Sequence, residues 1–263
     1  MVKNYVKANK KWWDSVTQIH SSSKLYDLSK FKKGTTSLQP LEINEVGDVK
    51  GKTLLHLMCH FGMDTLSWAR KGAIVTGVDL SSDSIALAKK LSIEIRTPAT
   101  FICKDIYELP KVLNQKFDII FMSYGVLLWL SDIEEWAKII NHFLKKGGVL
   151  YIVELHPFTN MFDSEFKLSY QYFDKGPFTD DSPGTYTDWN ADIKGTTHQW
   201  GHTLGDVINS LINEGLKIEF LHEFSYTMYD QFPGFMKKNK KGQYVLRDKK
   251  IQIPLLFSLK ATK

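Results

Sequence analysis

Lys52-Thr-Leu-Leu-His-Leu-Met-Cys-His-Phe-Gly62, followed by Val78-Asp79-Leu80, is the stretch that decides how this chain is read. Thr53 to Met58 is a short apolar run, the pattern of a strand buried on both faces. Cys59 to Gly62 reads as a turn and Asp64 to Arg70 as a helix closed by Gly72. Ile74 to Val78 then reads as a second buried strand ending on Asp79. An acid roughly 20 residues after such a turn has the spacing of a ribose-binding carboxylate in nucleotide-binding α/β units. The turn brings backbone N–H groups and a helix N-terminus against a ligand. An acid at the tip of the second strand can accept from two ribose hydroxyls.

Composition bounds the answer. The 263 residues suit one α/β domain carrying a cap, with ample material for a core. A net charge of +5, driven by lysine, is too weak to argue for nucleic-acid binding. Cys59 and Cys103 form neither a disulfide framework nor a zinc spacing, so a cytoplasmic protein without a metal site is expected. No signal peptide or membrane-spanning apolar run is evident.

Leu54-Leu-His-Leu-Met-Cys-His-Phe-Gly62 resembles motif I of class I S-adenosylmethionine-dependent methyltransferases, V-L-D-L-G-C-G-x-G, and Val78-Asp79-Leu80-Ser81 resembles their motif II. His56 stands in place of the usual Asp, Met58 and His60 replace the first two glycines, and Gly62 remains. Lys104-Asp105-Ile106, after a third strand at Thr100 to Cys103, is similar to motif III. Phe143-Leu-Lys-Lys-Gly-Gly-Val-Leu150 is similar to the F-L-K-P-G-G-x-L turn that precedes the fifth strand. The resemblance covers residues 50–155 by motif and 203–263 by order of elements. It implies a Rossmann-like α/β fold: a seven-stranded, mostly parallel sheet with the last strand antiparallel, helices on both faces and an inserted cap. Residues 1–263 would form a single domain. Its core would lie at about 45–156 and 203–263, and a lid at 1–44 with an insertion at 157–202 would cover the substrate.

The same resemblance implies S-adenosylmethionine as cofactor and S-adenosylhomocysteine as product. Asp79 would bind the ribose, Asp105 the adenine amine and Ile106 the adenine ring. The turn of His56, Met58, Cys59, His60 and Gly62, together with Leu80, Ser123 and Tyr124, would line the cofactor, and Ser37, Leu38 and Gln39 would pass its methionine end. A surface or cap role is the plain alternative for Asp105. At the strand tips, Tyr124 and His156 are candidate catalytic residues, although a lone histidine is more often structural. Trp12, Trp13, Trp129, His156 and His202 are candidate substrate contacts, since rings can stack on a substrate or cationic centre. Trp129 also suits core packing, and His202 also suits a place beside the helix cap at Thr203.

Beyond these motifs, Val2 to His20 reads as an amphipathic helix with Tyr5, Ala8, Trp12, Val16 and Ile19 on one face. Ser131-Asp-Ile-Glu134 reads as a capping box. Phe158 to Gly201 is aromatic and acidic, and its alternating stretch Phe166 to Tyr172 predicts a hairpin strand. The lysines at 237–241 suit a solvated hairpin tip.

The expected activity is methyl transfer to an oxygen or nitrogen of a small-molecule acceptor, by a monomer or homodimer, with no nucleic acid or membrane partner. Two rivals stand beside it. A nicotinamide-dinucleotide oxidoreductase lacks its G-x-G-x-x-G here. A non-catalytic S-adenosylmethionine-binding or scaffold protein draws support from the departures at 56, 58 and 60. A nucleic-acid methyltransferase is further off, since the chain has no Asn/Asp-Pro-Pro-Tyr/Phe tetrapeptide.

Overall fold

The computed structural model describes residues 2–263, so residue 1 of the expected lid lies outside the described residues. The strands are β1 (Thr53–Leu57), β2 (Ile74–Asp79), β3 (Thr100–Cys103), β4 (Phe117–Ser123), β5 (Leu144–Leu155), β6 (Phe178–Asp180), β7 (Thr197–Gln199), β8 (Lys217–Phe224), β9 (Met236–Lys238), β10 (Tyr244–Leu246) and β11 (Leu256–Thr262). The helices are α1 (Val2–Ser22), α2 (Leu28–Lys32), α3 (Pro40–Val46), α4 (Met63–Arg70), α5 (Ser82–Glu94), α6 (Ile133–Phe143) and α7 (Leu204–Asn213).

Seven strands form one sheet in the order β3-β2-β1-β4-β5-β11-β8. The first five are parallel, and β11 runs antiparallel to both β5 and β8. This is the expected sheet, with its last strand inserted between the fifth and sixth. Apolar runs become central strands because both faces are covered: Leu54, Leu55, Leu57, Ile120, Phe121, Ile152 and Val153 are buried. One core cluster joins Trp136, Ile140 and Phe143 of α6 to Val207 and Leu211 of α7 over β1, β4 and β5. A second packs Trp68 of α4 against Leu54, Phe121 and Tyr151. Reversal of strand order beside β1 opens a crevice at the carboxyl tips, where open α/β sheets bind ligands.

Local signals fix most boundaries. Ser81 caps α5 through Ser84 N, and Thr203 with Asp206 forms a reciprocal capping box on α7. The lysine-rich hairpin is present as β9 and β10. Two local expectations change. The cap of α6 is Asp132, not a Ser131 box, because its carboxylate satisfies two end donors at once, Glu134 N at 3.1 Å and Glu135 N at 2.9 Å. Residues 166–172 form no strand. Phe166 takes a left-handed backbone (φ 58°), and the Asp163 carboxylate closes a tight turn by accepting from Glu165 N, Lys167 N and Ser169 Oγ. The insertion pairs β6 with β7 instead.

α1 lies against the start of α5, where Asp14 accepts from Ser81 Oγ, Ser82 Oγ and Asp83 N. It also clamps the insertion. Asn9 donates to His198 O and accepts from His198 N, both at 2.8 Å, with the Tyr5 ring 4.3 Å from the His198 ring. Its buried face is Asn9, Val16, Thr17 and His20 rather than the purely apolar stripe. A polar buried face suits a helix laid over a site rather than over a core.

Candidate functional site

A cavity of about 1380 Å³ opens above the carboxyl tips of β1 to β4, between α1 and the insertion. Asp79, Leu80, Asp105 and Ile106 line it from β2 and β3. Asp79 is held in place by the turn it faces: Oδ2 accepts from His60 N and Oδ1 from Ser81 N, each at 2.8 Å. Burial pushes its carboxyl up to about 6 despite those donors. Asp105 accepts from Tyr107 N at 3.1 Å, so it caps the following turn and faces the cavity as well.

The turn keeps a glycine-loop conformation with few glycines. Met58 (φ 59°), His60 (φ 50°) and Gly62 (φ 76°) are all left-handed, at the three positions where the resembling motif has glycine. For Met58 and His60 this costs roughly 1–2 kcal/mol each. Part of the return is visible at His60, which is anchored at both ring nitrogens. Nδ1 lies 2.9 Å from Ser84 Oγ, and Nε2 lies 3.0 Å from His20 Nδ1.

Donor counting fixes both tautomers. Thr17 Oγ1 donates to the Trp13 carbonyl, so it accepts from Ser84 Oγ. The Ser84 proton is thereby spent, and His60 Nδ1 must donate to Ser84. Burial, with His20 adding to it, holds His60 well below the ordinary histidine range; His20 is pushed down to about 4 by burial. Both rings are therefore neutral. His60 Nε2 accepts from His20 Nδ1, and His20 Nε2 accepts from Thr185 Oγ1 at 2.6 Å. One chain of hydrogen bonds thus runs from the insertion through α1 to the turn and on to α5. Tyr26 and Tyr186, hydrogen-bonded hydroxyl to hydroxyl, stand beside it in the cavity wall.

At the β1–β4 end, His56 points at α4, with Nδ1 2.8 Å from Thr65 Oγ1, and burial pushes its pKa down to about 3. Beside it Asp64, a residue read from sequence only as part of a helix, lines the cavity. It accepts from Ser37 Oγ at 2.5 Å and from Ser123 Oγ at 3.1 Å. Tyr124 lines the cavity too, but its hydroxyl is committed to Glu42 Oε1 at 2.9 Å and burial raises its pKa well above the usual value. Its neighbours are fixed from beneath: Glu154 on β5 accepts from the backbone N–H groups of Gly125, Val126 (2.6 Å) and Leu127 (3.0 Å). Glu42 and Glu154 escape sequence reading because nothing local marks them; one lies in a short helix, the other at a strand end.

The substrate-side candidates divide. Trp12, Trp13, Trp129 and His202 line the cavity. Trp13 stands edge-on to Trp129 and to His60, each at 5.3 Å between ring centres. His202 Nε2 donates to the Leu130 carbonyl at 2.7 Å, which leaves Nδ1 as the lone-pair nitrogen. His156 does not line the cavity. Its Nδ1 accepts from Phe158 N at 3.1 Å, and its Nε2 lies 2.9 Å from Glu223 on the far side of β11 from β5. It caps the turn leaving β5, the structural alternative for a lone histidine. Leu38 is likewise packed in the core, whereas Ser37 and Gln39 reach the cavity.

Comparison with known proteins bears on the fold around this cavity. Residues 54–148 match the methyltransferase domain family. A ubiquinone biosynthesis O-methyltransferase of Coxiella burnetii is 35% identical over 103 residues, 39% of this chain and 43% of that protein. Its counterpart from Chromobacterium violaceum is 25% identical over 149 residues, 56% of this chain and 58% of that protein. The chain thus matches about half the length of these curated relatives. An S-adenosylmethionine-dependent methyltransferase structure from Mesorhizobium loti superposes with a TM-score of 0.60 at 21% identity, covering 88% of this chain and 100% of the other. That likeness is one of fold and extends over most of the chain. Among the described residues there is no cluster of three or more His, Cys, Asp or Glu placed to hold a metal ion, and no helix is long and apolar enough to cross a membrane.

Proposed function

We propose that this protein transfers a methyl group from S-adenosylmethionine to an oxygen or nitrogen of a small-molecule acceptor, beneath a cap formed by α1 and residues 157–202. The observation that carries this reading is the row of acids on adjacent strand tips. Asp105 follows β3, Asp79 ends β2, and the left-handed 58–62 turn follows β1, all facing one cavity. The donor set suits an adenosine without phosphates. The His60 N–H, which could meet a pyrophosphate, is already taken by Asp79, and the side chains of Met58 and His60 fill the glycine slots. A nicotinamide dinucleotide is disfavoured on the same ground.

When bound, S-adenosylmethionine supplies an electrophilic methyl carbon, and the electron pair of its carbon–sulfur bond stays on sulfur, leaving S-adenosylhomocysteine. The protein's own work is alignment and exclusion of water. Asp79 would hold the ribose hydroxyls, with Asp105 and Ile106 holding adenine. Glu154 fixes the 125–127 loop, which would lie between cofactor and acceptor. Trp12, Trp13 and Trp129 supply a flat apolar wall for the acceptor. Where the acceptor loses a proton, His202 is the side chain suited to take it, because its tautomer leaves Nδ1 unprotonated. The relatives' names as O-methyltransferases favour oxygen over nitrogen.

Calorimetric titration with S-adenosylmethionine, S-adenosylhomocysteine and NADH tests the reading. Micromolar binding of the two adenosyl ligands alone is expected. Asp79→Ala should abolish that binding while the protein stays folded; normal affinity in the variant would overturn the assignment.

A further inference from the structure

The acid missing from motif I has a replacement that is eight positions along the chain but close by in space. We propose that Asp64 binds the ammonium group at the amino-acid end of the cofactor, in place of the carboxylate that His56 has displaced. The inference rests on the cofactor assignment above and adds to it the residue that holds the cofactor's other end.

Three observations support it. First, His56 brings no negative charge: its ring lines the cavity but is buried and neutral, with Nδ1 turned to Thr65. Second, Asp64 stands where the adenosyl assignment puts the amino acid. The sheet order β3-β2-β1-β4 sets Asp105, Asp79 and the turn in sequence across the tips. With strands about 4.8 Å apart, the next position lies at the β1–β4 side. There Ser123, the last residue of β4, donates to Asp64, which starts the helix after the turn.

Third, the negative charge at this spot lacks a counter-charge. Both side-chain donors to Asp64 are neutral hydroxyls, Ser37 and Ser123, and among the described residues no basic group forms an ion pair with it. Glu42 lies behind, fully buried. Its Oε1 is bonded to Tyr124, while Oε2 has no hydrogen-bond partner. Burial first, and then the charge of Asp64, push Glu42 up to about 8. A half-buried carboxylate that faces a cavity with two hydroxyls as its side-chain donors is costly alone and is stabilised by a cation that arrives with a ligand. An ammonium group supplies one positive charge and three donors.

The test separates this end of the ligand from the adenosyl end. Wild type, Asp64→Asn and Asp79→Ala are titrated calorimetrically with S-adenosylhomocysteine and with 5′-methylthioadenosine, which lacks the amino acid. Asp64→Asn should weaken S-adenosylhomocysteine about 30-fold and leave 5′-methylthioadenosine within twofold of wild type. Asp79→Ala should weaken both. Equal loss of both ligands in Asp64→Asn, or no loss of S-adenosylhomocysteine, overturns the proposal while leaving the cofactor assignment standing. Failure of wild type to bind either ligand overturns that assignment and this inference with it. A second measurement needs no variant. Wild type should bind the deaminated analogue of S-adenosylhomocysteine, which keeps the carboxylate, about 30-fold more weakly than the parent; equal affinity refutes the role of Asp64.

Discussion

Gly62→Ala tests whether the 58–62 turn is as tightly specified as its geometry implies. A Cβ at this position would sit 2.6 and 2.7 Å from Cε1 and Cζ of Phe101 and 3.1 Å from the Ala88 Cβ. Ordinary carbon contacts lie near 3.5–4.0 Å, so the ring would have to retreat by about 1 Å. It has little room: Phe101 is buried among Cys59, Phe61, Ile85 and Leu91. Overpacking of this kind costs about 1–3 kcal/mol. The left-handed backbone (φ 76°) adds roughly 1–2 kcal/mol for any residue with a Cβ. Against this, alanine stiffens the unfolded chain and returns about 0.4–1 kcal/mol. The net loss is about 2–4 kcal/mol.

Gly77→Ala is the internal control, because its Cβ meets the same ring at 2.7 Å and the Cys59 sulfur at 2.9 Å, without a left-handed backbone. Urea unfolding should rank wild type above Gly77→Ala and Gly77→Ala above Gly62→Ala. Phe101→Leu should couple favourably to either substitution in a double-mutant cycle. A Gly62→Ala protein that unfolds at the wild-type midpoint with an unchanged slope would refute both the clash and the backbone argument.

Three further outcomes follow from the same contacts. Glu154→Gln leaves a single carbonyl oxygen where a carboxylate now serves several backbone N–H groups, so it should lower stability by roughly 2–4 kcal/mol, read from urea midpoints. His20, pushed down to about 4, binds fewer protons folded than unfolded at any pH between that value and 6.5. Its stabilisation is therefore complete above pH 6.5 and is lost as pH falls toward 4, about 3 kcal/mol in all; His20→Gln should flatten the fall in urea midpoint between pH 7 and 5. If His202 takes the acceptor's proton, His202→Gln should lower kcat with S-adenosylmethionine affinity unchanged. The wild-type rate should then fall only at pH below the ordinary histidine range, since burial lowers the His202 pKa.

Much of the fold was readable because its signals are local. Short apolar runs, each followed by a turn or helix-cap signal, place all five parallel strands, and Thr203 with Asp206 announces α7 at sequence range. The capping residue of α6 and the path of 166–172 differ from the sequence expectation because two local conformations are open at each place. Which one wins depends on tertiary partners: Tyr107, whose hydroxyl bonds the backbone of Asp132, and the aromatic packing of Phe166 on Phe162 and Phe232. The site divides along the same line. Asp79 and Asp105 sit at strand ends that periodicity can locate. His156 occupies an equally suggestive strand end, but an exposed glutamate from β8 and the backbone of Phe158 claim its ring.

The altered turn shows why spacing survives where residue identity does not. This turn takes left-handed backbone at three points, and glycine is the least costly way to supply it. Met58 and His60 supply it at a cost of a few kcal/mol, and the contacts of His60 offset part of that cost. A glycine at 60 could not reach His20 and Ser84 together. The side chain that strains the turn is therefore also the one that ties it to α1 and, through Thr185, to the insertion. The 58–62 turn and the insertion thus share one hydrogen-bond chain. Any movement of the insertion that carries Thr185 away unpartners the buried His20 Nε2, so the position of the insertion and the order of the 58–62 turn are bound to one another. Replacing His60 with glycine would relieve the backbone and break that link. A variant with a turn no less stable but a cap more readily cleaved by protease is the result this coupling requires, and a cap protected as in wild type would exclude it.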